Sequence, residues 1–445
     1  MSGGSGKVAA TGALRAAVRG PRYSLGRSDR AIATALETFS EGEGNSHEDP
    51  HLRSGIRRAG AAGVPGERPR LMAGEARSLG EGSKPWPAIC VVGPLPPPSG
   101  GMANQCEQLV RLLREEGLEV ELVRTNMPYR PAWVAGMPVL RAGFRLLPYL
   151  LHLWRAAERA RVMHVLANSG WAWHLLAAPA MLIARLQNIP VIINYRGGNA
   201  DSFFSRAPRH VLRLLAKASL RVTPSEFLQR VFSRYGLAAE VIPNIIDLSR
   251  FAPAPARSFG DAPQVVVTRN LEAIYGIPTA IRAFARIVPA FPRAQLTVAG
   301  SGPELSRLQA LVTEMGLKDS VRFPGRIENA CIPALYAAAD CLLNPSTVDN
   351  MPISILEAFA SGVPVVSTCA GGIPNMVEQG VSGLLVPVGD HEAMARELLH
   401  VLQDPSLAAG LRQAGLKQAE RYAWPRVRTQ WLDAYRRAVA VGEGS

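Results

Sequence analysis

The sequence predicts an α/β protein built from two doubly wound, Rossmann-like domains that face a central cleft. Its 445 residues exceed the usual length of one domain. Short apolar runs alternate with segments of helical spacing, stop at a stretch rich in Pro and Ala, and then restart. Strands alternating with helices indicate a parallel sheet covered on both faces. Because such sheets bind ligands beyond the carboxyl ends of their strands, we expect the site in the cleft.

The chain divides into five predicted segments. Residues 1–85 are rich in Gly, Ala, Arg, Ser and Glu with little periodicity, which predicts a disordered extension. The first domain is expected over 86–250, a Pro- and Ala-rich linker over 251–263, and the second domain over 264–424. A helix is expected over 425–441; no strand follows it, and we expect it to pack back toward the first domain.

The apolar runs give the order of elements in each domain. In the first domain, strands are predicted at 88–92, 119–124, 164–166, 191–195 and 220–224. Helices are predicted there at 104–116, 171–187, 208–219 and 225–235. In the second domain, strands are predicted at 264–268, 295–299, 321–323, 341–344, 364–367 and 384–386, with helices between them.

The positive charge is concentrated in the first domain. The formal charge is +13, of which residues 88–268 contribute +9, whereas residues 269–445 are neutral overall. A basic domain joined to a neutral one favours an anionic partner on one side: a membrane surface, a lipid phosphate or nucleic acid. Nucleic acid is the weaker option, because the sequence has no zinc-ligand spacing, no aromatic residues within a basic run and no helix-turn-helix signature.

Cysteine usage and hydropathy favour a cytoplasmic protein, either free or peripheral at the inner face of the membrane. The five cysteines are odd in number and form no CxxC pair, which indicates free thiols in a reducing compartment. The N-terminus lacks the apolar region of a signal peptide, and no apolar run reaches 18 residues. The longest, Trp171 to Ala184, contains His174 and Pro179 and is predicted to be a core helix.

The motif NPSTVDNMPISILEAFASGVPVV, residues 344–366, predicts a binding site. A strand leads into a loop carrying Asp349, a helix is expected to open at Met351-Pro352, and Glu357 follows within it. The amides at a helix start favour a phosphate. Two carboxylates beside an anion site suggest hydroxyls held next to a diphosphate, as in a nucleotide sugar. The alternative is an ordinary βαβ unit with Asp349 in a turn and Glu357 on a solvated face.

With its supporting motifs, the chain from about Ala88 to Tyr435 resembles family 4 of the retaining glycosyltransferases, which have the GT-B fold. Supporting the acidic motif in order are Gly100-Gly101, Val241–Asp247, Ala299–Pro303, Gly371–Pro374 and Gly383–Val386. The resemblance implies transfer of a sugar from a nucleotide-diphosphate donor to a hydroxyl, with the anomeric configuration retained. It implies no cofactor beyond the donor co-substrate.

The resemblance also implies roles for the residues of the acidic motif. Glu357 would hold the ribose hydroxyls of the donor, and Asp349, followed by Asn350, would face the sugar ring. Backbone N–H groups around Met351-Pro352 and Ile353 would meet the diphosphate.

Further donor-binding residues lie outside that motif. Gly100 and Gly101 would let the first-domain loop approach the diphosphate closely. Arg269, at the end of the first strand of the second domain, would bind phosphate, with Gly300 at the next strand end. Arg326-Ile327 would lie beside the base.

Three departures from the family pattern concern charge. The family usually has Glu-Gly where this chain has Asp349-Asn350, so we expect the carboxylate role to survive with altered sugar choice. The family usually has a Lys several residues after Arg269; here Tyr275 offers a neutral hydrogen bond instead. Arg196 stands where the family often has His. Either it pairs with Asp201 or a backbone carbonyl, or it places a cation on the donor or acceptor phosphate.

The mechanism that the resemblance implies rests on leaving-group stabilisation. The β-phosphate gains negative charge as the nucleoside diphosphate departs, and Arg269 with the helix amides is expected to meet it. The sequence has no Asp-x-Asp motif and no His/Asp cluster of metal-ligand spacing, so we expect no obligatory metal. With no second carboxylate evident as a nucleophile, we expect the acceptor to attack on the leaving-group face.

The segment 132–161 bears on the acceptor. Apolar residues recur there at steps of three or four among five arginines, which predicts an amphipathic helix or helix pair broken near Pro148. This helix either packs on its own sheet or lies on anionic lipid. The expected acceptor is a polysaccharide or a polyprenyl- or other lipid-linked glycan.

Two rival functions stay open from the sequence. A nucleotide-sugar 2-epimerase shares the architecture, but it needs acid and base groups on both sides of the sugar, and the first domain offers only His164 and Asp201. The other rival is a glycosyltransferase-like subunit that binds the donor without transferring its sugar. This possibility stays open because the Lys that the family usually has is missing.

Overall fold

The computed structural model describes residues 87–97, 100–127, 138–253 and 260–443. The predicted disordered extension, residues 1–85, lies outside the described residues, as does much of the predicted linker. We call the part from the first to the sixth strand the first lobe, and the part from the seventh to the twelfth strand the second lobe.

The first lobe contains a six-stranded parallel sheet of order β2-β1-β3-β4-β5-β6. Its strands are β1 (Ile89–Gly93), β2 (Val120–Arg124), β3 (Val162–Ala167), β4 (Val191–Tyr195), β5 (Leu220–Thr223) and β6 (Glu240–Val241). Its helices are α1 (Gly101–Glu115), α2 (Pro138–Arg159), α3 (Ala178–Leu186), α4 (Ala200–Arg206), α5 (Arg209–Ala216) and α6 (Glu226–Arg234). A π-helical turn, Trp173–Ala177, leads into α3. The central strands are buried along their whole length, as expected for a sheet covered on both faces.

The second lobe repeats this architecture with the strand order β12-β11-β10-β7-β8-β9. Its strands are β7 (Gln264–Thr268), β8 (Gln295–Ala299), β9 (Val321–Gly325), β10 (Cys341–Asn344), β11 (Val365–Thr368) and β12 (Leu384–Val386). Its longer helices are α7 (Ile277–Ile287), α8 (Leu305–Glu314), α9 (Ile332–Ala337), α10 (Ile353–Ala360), α11 (His391–Gln403) and α12 (Pro405–Glu420). Both sheets are parallel, so the predicted fold class, two doubly wound domains, is confirmed.

The last helix, α13 (Trp424–Glu443), belongs spatially to the first lobe. Its buried residues Trp431 and Tyr435 share one apolar cluster with Ile89 and with the inner face of α1. The hydroxyl of Tyr435 lies 2.7 Å from Nδ1 of the fully buried His164 on β3. Burial lowers the pKa of His164 to about 3, so this imidazole is a neutral core group.

Two of the helices contain a proline. The sequence predicted a helix or a helix pair broken near Pro148, and the structure has a single helix, α2, with Pro148 inside it and no break. The next turns bury Tyr149 and Leu153 against the sheet, and the Tyr149 hydroxyl donates to the Leu176 carbonyl at 2.8 Å. This packing offsets the lost hydrogen bond, which costs about 3 kcal/mol. The helix predicted at 171–187 is helical from residue 171 to 186, and Trp173–Ala177 within it form the π-helical turn before Pro179, which has no N–H.

One smaller difference concerns a helix, whereas the cysteines agree with the prediction of free thiols. Helix α4 was not predicted, because it is only seven residues long and is fixed by the burial of Phe204 rather than by a repeating pattern. All five cysteines are free; three are buried, Cys331 is half-buried, and Cys369 is exposed.

Candidate active site

Two adjoining cavities between the lobes bring the predicted site residues together. The first cavity is lined by Gly100, Gly101, Arg269, Tyr275, Gly300, Arg326, Ile327, Ile353 and Glu357, together with residues that the sequence did not single out. The second cavity is lined by Arg196, Asp349, Asn350, Met351 and Pro352 and shares Gly101, Arg269, Tyr275 and Ile353 with the first. The carboxyl ends of β7, β8 and β10 place most of these residues at one edge of the sheet.

Arg269 lies at the boundary of the two cavities and has two partners. Its guanidinium forms an ion pair with Asp349, and its Cζ lies 4.2 Å from the centre of the Tyr275 ring. Its buried Nε has no hydrogen-bond partner. Tyr275 therefore contacts the cation of Arg269 through its ring face, which is an attractive arrangement. Asp349, expected to face a sugar, faces Arg269 here.

Glu357 lies on α10 at the floor of the first cavity. Burial raises the pKa of its carboxyl to about 7, although a hydrogen bond from Tyr336 and the charges of Arg250 and Arg269 act in the opposite direction. The Tyr336 hydroxyl also lies 2.6 Å from Oγ1 of Thr268 and donates to the Ser354 carbonyl at 3.0 Å. Glu357 is therefore held in place by a buried phenol.

Helix α10 begins one residue later than expected. Pro352 is its N-cap residue, with extended backbone (φ −65°, ψ 123°), so the first helical amide is that of Ile353. Ile353 lines both cavities, which places the positive end of the helix at their junction. Of the amides expected to meet a phosphate, that of Ile353 is therefore the first of the helix.

Two glycines hold the loop that carries Asp349. The N–H of Gly372 donates to the Asp349 carbonyl at 2.9 Å. A Cβ atom on Gly371, whose φ is +55°, would overlap the carbonyl of Asp349, and one on Gly372 would overlap that of Asn350. The Asn350 N–H in turn donates to the Asp349 carboxylate at 2.9 Å. The Gly-Gly pair is thus needed for close backbone approach.

The remaining predicted glycines differ in what their missing side chains allow. A Cβ atom on Gly100 would meet nothing within 4 Å, and one on Gly101 would lie in ordinary contact, 3.6 Å from Cδ1 of Ile353. Protein packing alone therefore does not require glycine at either position, and both line open space in the first cavity. Gly300 is different, because a Cβ atom there would overlap the Arg269 carbonyl.

Arg196 joins the two lobes, and its partners were not predicted. Its Nη1 donates to Oδ1 of Asn244 at 2.7 Å, and its carbonyl accepts from Nδ2 of Asn350 at 3.1 Å. Nδ2 of Asn244 donates to the Met351 carbonyl at 2.8 Å. The pairing considered with Asp201 is wrong, because Asp201 faces Arg234 at 3.4 Å.

Sequence reasoning missed Asn244, Tyr336 and Thr268, which position the predicted residues. Asn244 stands within the Val241–Asp247 motif, and its polarity between apolar neighbours was a usable signal. Among the described residues, no group of three or more His, Cys, Asp or Glu side chains is placed to hold a metal ion. Within the same ranges, none of the helices combines the length and apolar character that a membrane span requires.

Comparisons with known proteins agree with the fold and the motif order. The family model described as "Glycosyltransferase Family 4" matches residues 99–250, and "Glycosyl transferases group 1" matches residues 250–418. A GDP-mannose-dependent alpha-(1-6)-phosphatidylinositol monomannoside mannosyltransferase of Mycolicibacterium smegmatis is 29% identical over 370 residues, covering 76% of this chain and 94% of that protein. A D-inositol 3-phosphate glycosyltransferase of Saccharomonospora viridis is 33% identical over 234 residues, 49% of this chain and 54% of that protein.

Solved structures share the fold at low sequence identity. Sucrose-phosphate synthase of Thermosynechococcus elongatus superposes with a TM-score of 0.64 at 21% identity, covering 80% of this chain and 99% of that one. Anabaena HepE in complex with UDP-glucose gives 0.62 at 21% identity, covering 78% and 99%. The two family models are adjacent and follow the two lobes in order. The chain is therefore a glycosyltransferase enzyme with the GT-B fold, and it belongs to the glycosyltransferases of the family 4 and group 1 type.

Proposed function

We propose that this enzyme transfers a sugar, with retention of configuration, from a nucleotide-diphosphate donor to a hydroxyl of a polysaccharide or lipid-linked acceptor. One observation carries the proposal: Arg269, the amide end of α10 and Glu357 line a single cavity. A cation and free amides suit a pyrophosphate, and a carboxylate one turn along the helix suits the ribose hydroxyls. The names of the relatives support a nucleotide-sugar donor, and the HepE complex supports the same class of ligand.

Stabilisation of the leaving group is the main catalytic contribution that we propose. Negative charge grows on the β-phosphate as the bond to the sugar breaks. Arg269 and the N–H of Ile353 lie at the junction of the two cavities, where that phosphate would sit. One preorganised donor of this kind is worth about 2.7–4 kcal/mol in rate. These groups supply the positive charge, so we propose a metal-independent reaction.

The second cavity favours attack on the face from which the leaving group departs. Among the residues that line it, the carboxylates are Asp349 and Glu272. Asp349 is paired with Arg269, and Glu272 accepts from Asn270 Nδ2 at 3.2 Å. Asp349 lies beside Arg269, on the side of the proposed leaving phosphate, and Glu272 is held by Asn270, so we propose that neither acts as a nucleophile from the opposite face of the sugar. We therefore propose that the acceptor hydroxyl attacks beside the departing phosphate, whose oxygen takes the proton.

The outer face of the first lobe supports a membrane-bound acceptor. The helices α2 to α6 pack on one side of the sheet, in one apolar cluster, so that their outward sides form one surface. Exposed large apolar side chains on this surface are Leu147, Leu151, Trp154, Trp171, Leu175, Leu182 and Leu186. Trp171 and Leu186 are 78% and 71% exposed. Such a concentration of apolar side chains marks an interaction surface.

Charge on the same outer face favours an anionic lipid as the partner. Exposed cations on these helices or directly after them are Arg155, Arg159, Arg185, Arg206, Arg209, Arg213, Lys217, Arg230 and Arg234. The exposed acids there are Glu158, which accepts from Trp154 Nε1, Asp201, which pairs with Arg234, and Glu226, which pairs with Arg230. Apolar side chains among cations fit a bilayer of anionic lipids, where each nearby cation contributes about 1 kcal/mol. One side of α2 packs on the sheet, and we propose that the other side contacts lipid.

Transfer assays across a panel of UDP-, GDP- and ADP-sugars test the proposal. We expect transfer from one or a few donors, full activity in excess EDTA, and a product with the anomeric configuration of the donor by NMR. Arg269→Ala should lower turnover at least about a hundredfold. The exposed Arg293→Ala is the matched control. Conversion of the donor sugar without transfer would favour an epimerase, and donor binding without either reaction would favour a non-catalytic subunit.

A further inference from the structure

We propose that the second cavity contains a binding site for an anionic group, a phosphate or a carboxylate, centred on Arg196 and carried by the acceptor or by the transferred sugar. The inference rests on the proposed function, which puts both molecules in this cavity. It adds the chemical class of substrate: a hydroxylated molecule with a negative charge close to the reacting atoms.

The charge of Arg196 has no acidic partner in the described part of the chain. Its side chain is half-buried, its one side-chain hydrogen bond goes to the neutral Asn244, and its buried Nε has no partner. Burial lowers the pKa of this guanidinium to about 10, so it is still a cation at neutral pH. A buried cation without a counter-ion is costly, and a ligand anion would remove that cost.

The part of the cavity wall that the first lobe contributes is neutral apart from Arg196. The residues that the first lobe contributes there include Asn168, Ser169, Gly198 and Asn199, none of which carries a charge. From the other lobe, the buried Oδ1 of Asn350 has no hydrogen-bond partner. An unpaired amide oxygen is an acceptor for a hydroxyl. A cation and an unsatisfied acceptor in one cavity fit a ligand that carries both an anionic group and hydroxyls.

The position of Arg196 separates this site from the pyrophosphate. Arg196 lines the second cavity and not the first, which contains Glu357. The proposed pyrophosphate position is the wall that both cavities share, at Arg269 and Ile353. Arg196 therefore lies on the side where the transferred sugar and the acceptor meet, so the anion it binds is a second one.

The guanidinium is already oriented for this role. Asn244 is 5% exposed, accepts from Arg196, and donates to the Met351 carbonyl across the cleft. Nδ2 of Asn350, which lies in the same loop as Met351, donates to the Arg196 carbonyl. Bonds from both lobes thus fix Arg196 before a ligand arrives, which reduces the entropy lost on binding.

Binding of glucose 6-phosphate to the full chain, measured by calorimetry against glucose, tests the site directly. We expect the phosphate to bind more tightly than glucose, and Arg196→Gln to weaken it about ten- to a hundredfold, as for a lost charged hydrogen bond. Arg196→Lys should restore part of the loss, and Arg234→Gln, which removes an exposed arginine outside the cavity, should not change it. Phosphate binding that persists in Arg196→Gln would overturn the proposal, as would equal affinity for phosphate and glucose.

Kinetics with matched substrates then identify which molecule carries the anion. One pair is an acceptor with and without a phosphate; the other is UDP-glucose and UDP-glucuronate. A rise in KM in Arg196→Gln confined to the phosphorylated acceptor assigns the anion to the acceptor, and one confined to UDP-glucuronate assigns it to the donor sugar. A wild-type enzyme that prefers neither anionic substrate would overturn the proposal. If no donor supports transfer while Arg196-dependent phosphate binding remains, the proposed function fails and the anion site stands.

Discussion

The guanidinium of Arg269 forms an ion pair with the carboxylate of Asp349, and the two side chains are only 12% and 13% exposed. The pair joins the end of β7 to the loop after β10, at the wall that both cavities share. The positive charge of Arg269, which we propose binds the pyrophosphate, is therefore neutralised in this structure by the carboxylate of Asp349. A donor must compete with Asp349 for Arg269, and its arrival would release Asp349 to face the sugar hydroxyls.

Replacing Asp349 should separate donor binding from transfer. In Asp349→Asn the carboxylate no longer competes, so we expect UDP or GDP to bind about two- to fivefold more tightly, the size of a weak ion pair of up to about 1 kcal/mol. Transfer should fall at least about tenfold, because the sugar loses its partner. Calorimetry and initial rates measure the two effects, with the exposed Asp319→Asn as control. Weaker nucleotide binding in Asp349→Asn would show that the carboxylate does not compete for Arg269.

Glu357 should make stability depend on pH. Burial raises the pKa of its carboxyl to about 7 from the ordinary 4.5, so the folded protein holds a proton that the unfolded chain has lost between these values. The free energy of unfolding should therefore fall as pH rises from about 4.5 to 7 and stay low above it. Each pKa unit corresponds to ~1.4 kcal/mol. Solvent in the cleft screens part of this, so we expect Glu357→Gln to gain about 1–2 kcal/mol at pH 8 and nothing at pH 4.5.

The same variant should lose donor affinity although it gains stability. The ionised Glu357 carboxylate accepts from both ribose hydroxyls, whereas the protonated acid has lost one acceptor oxygen and bears no charge, so nucleotide affinity should weaken by up to about tenfold from pH 8 to pH 6. At pH 8, Glu357→Gln should bind nucleotide more weakly than the wild type. Its nucleotide affinity should also lack the change between pH 8 and pH 6 that titration of Glu357 causes. Thermal unfolding and titration at each pH measure both quantities. A variant that binds nucleotide like the wild type at pH 8 would place the ribose elsewhere.

Gly372→Ala should disable the site through the backbone. Its Cβ atom would overlap the carbonyl of Asn350, so the loop that carries Asp349 must shift. We expect about 1–3 kcal/mol of destabilisation and a loss of transfer of at least about tenfold. Gly410→Ala is the matched control, because a Cβ atom there meets nothing within 4 Å and alanine favours the helix. Equal activity of the two variants would show that the loop tolerates displacement.

Vesicle flotation should detect the outer face of the first lobe. We expect the protein to float with phosphatidylglycerol vesicles at low salt, to float less with phosphatidylcholine, and to be released by high salt. Leu182→Ser with Leu186→Ser should weaken binding at least about tenfold, because burying each leucine contributes up to about 1.5–3 kcal/mol. Val381→Ser with Val388→Ser, two exposed valines of the second lobe, is the control. No flotation with anionic vesicles would remove the membrane from the proposal.

The strands and the principal site residues were predictable because their signals are local. Four of the six predicted strands of the second lobe have the observed bounds, such as Gln264–Thr268 and Cys341–Asn344. When strands alternate with helices along the chain, the sheet is parallel, and the carboxyl ends of its strands lie along one edge of the sheet. Motifs that follow them, such as Arg269 and the loop of Asp349, must then lie together. The cleft residues were thus brought together by topology, without knowledge of any contact.

What could not be predicted depends on contacts between distant parts of the chain. The pairing of Arg269 with Asp349 depends on the rotamers of two side chains that both had other expected partners. Arg196 had an acid nearby in sequence, Asp201, but its guanidinium donates to Asn244 instead. A proline usually breaks a helix, but Pro148 lies inside α2 because the burial of neighbouring residues outweighs that cost.

A crystal structure of the enzyme with bound UDP, and a second with GDP, tests the central claim most directly. The account predicts the ribose hydroxyls within hydrogen-bond distance of the Glu357 carboxylate. It also predicts the β-phosphate against Arg269 and the N–H of Ile353, with Asp349 released from its ion pair. A nucleotide bound outside the first cavity, or with its phosphates directed away from Arg269, would contradict it.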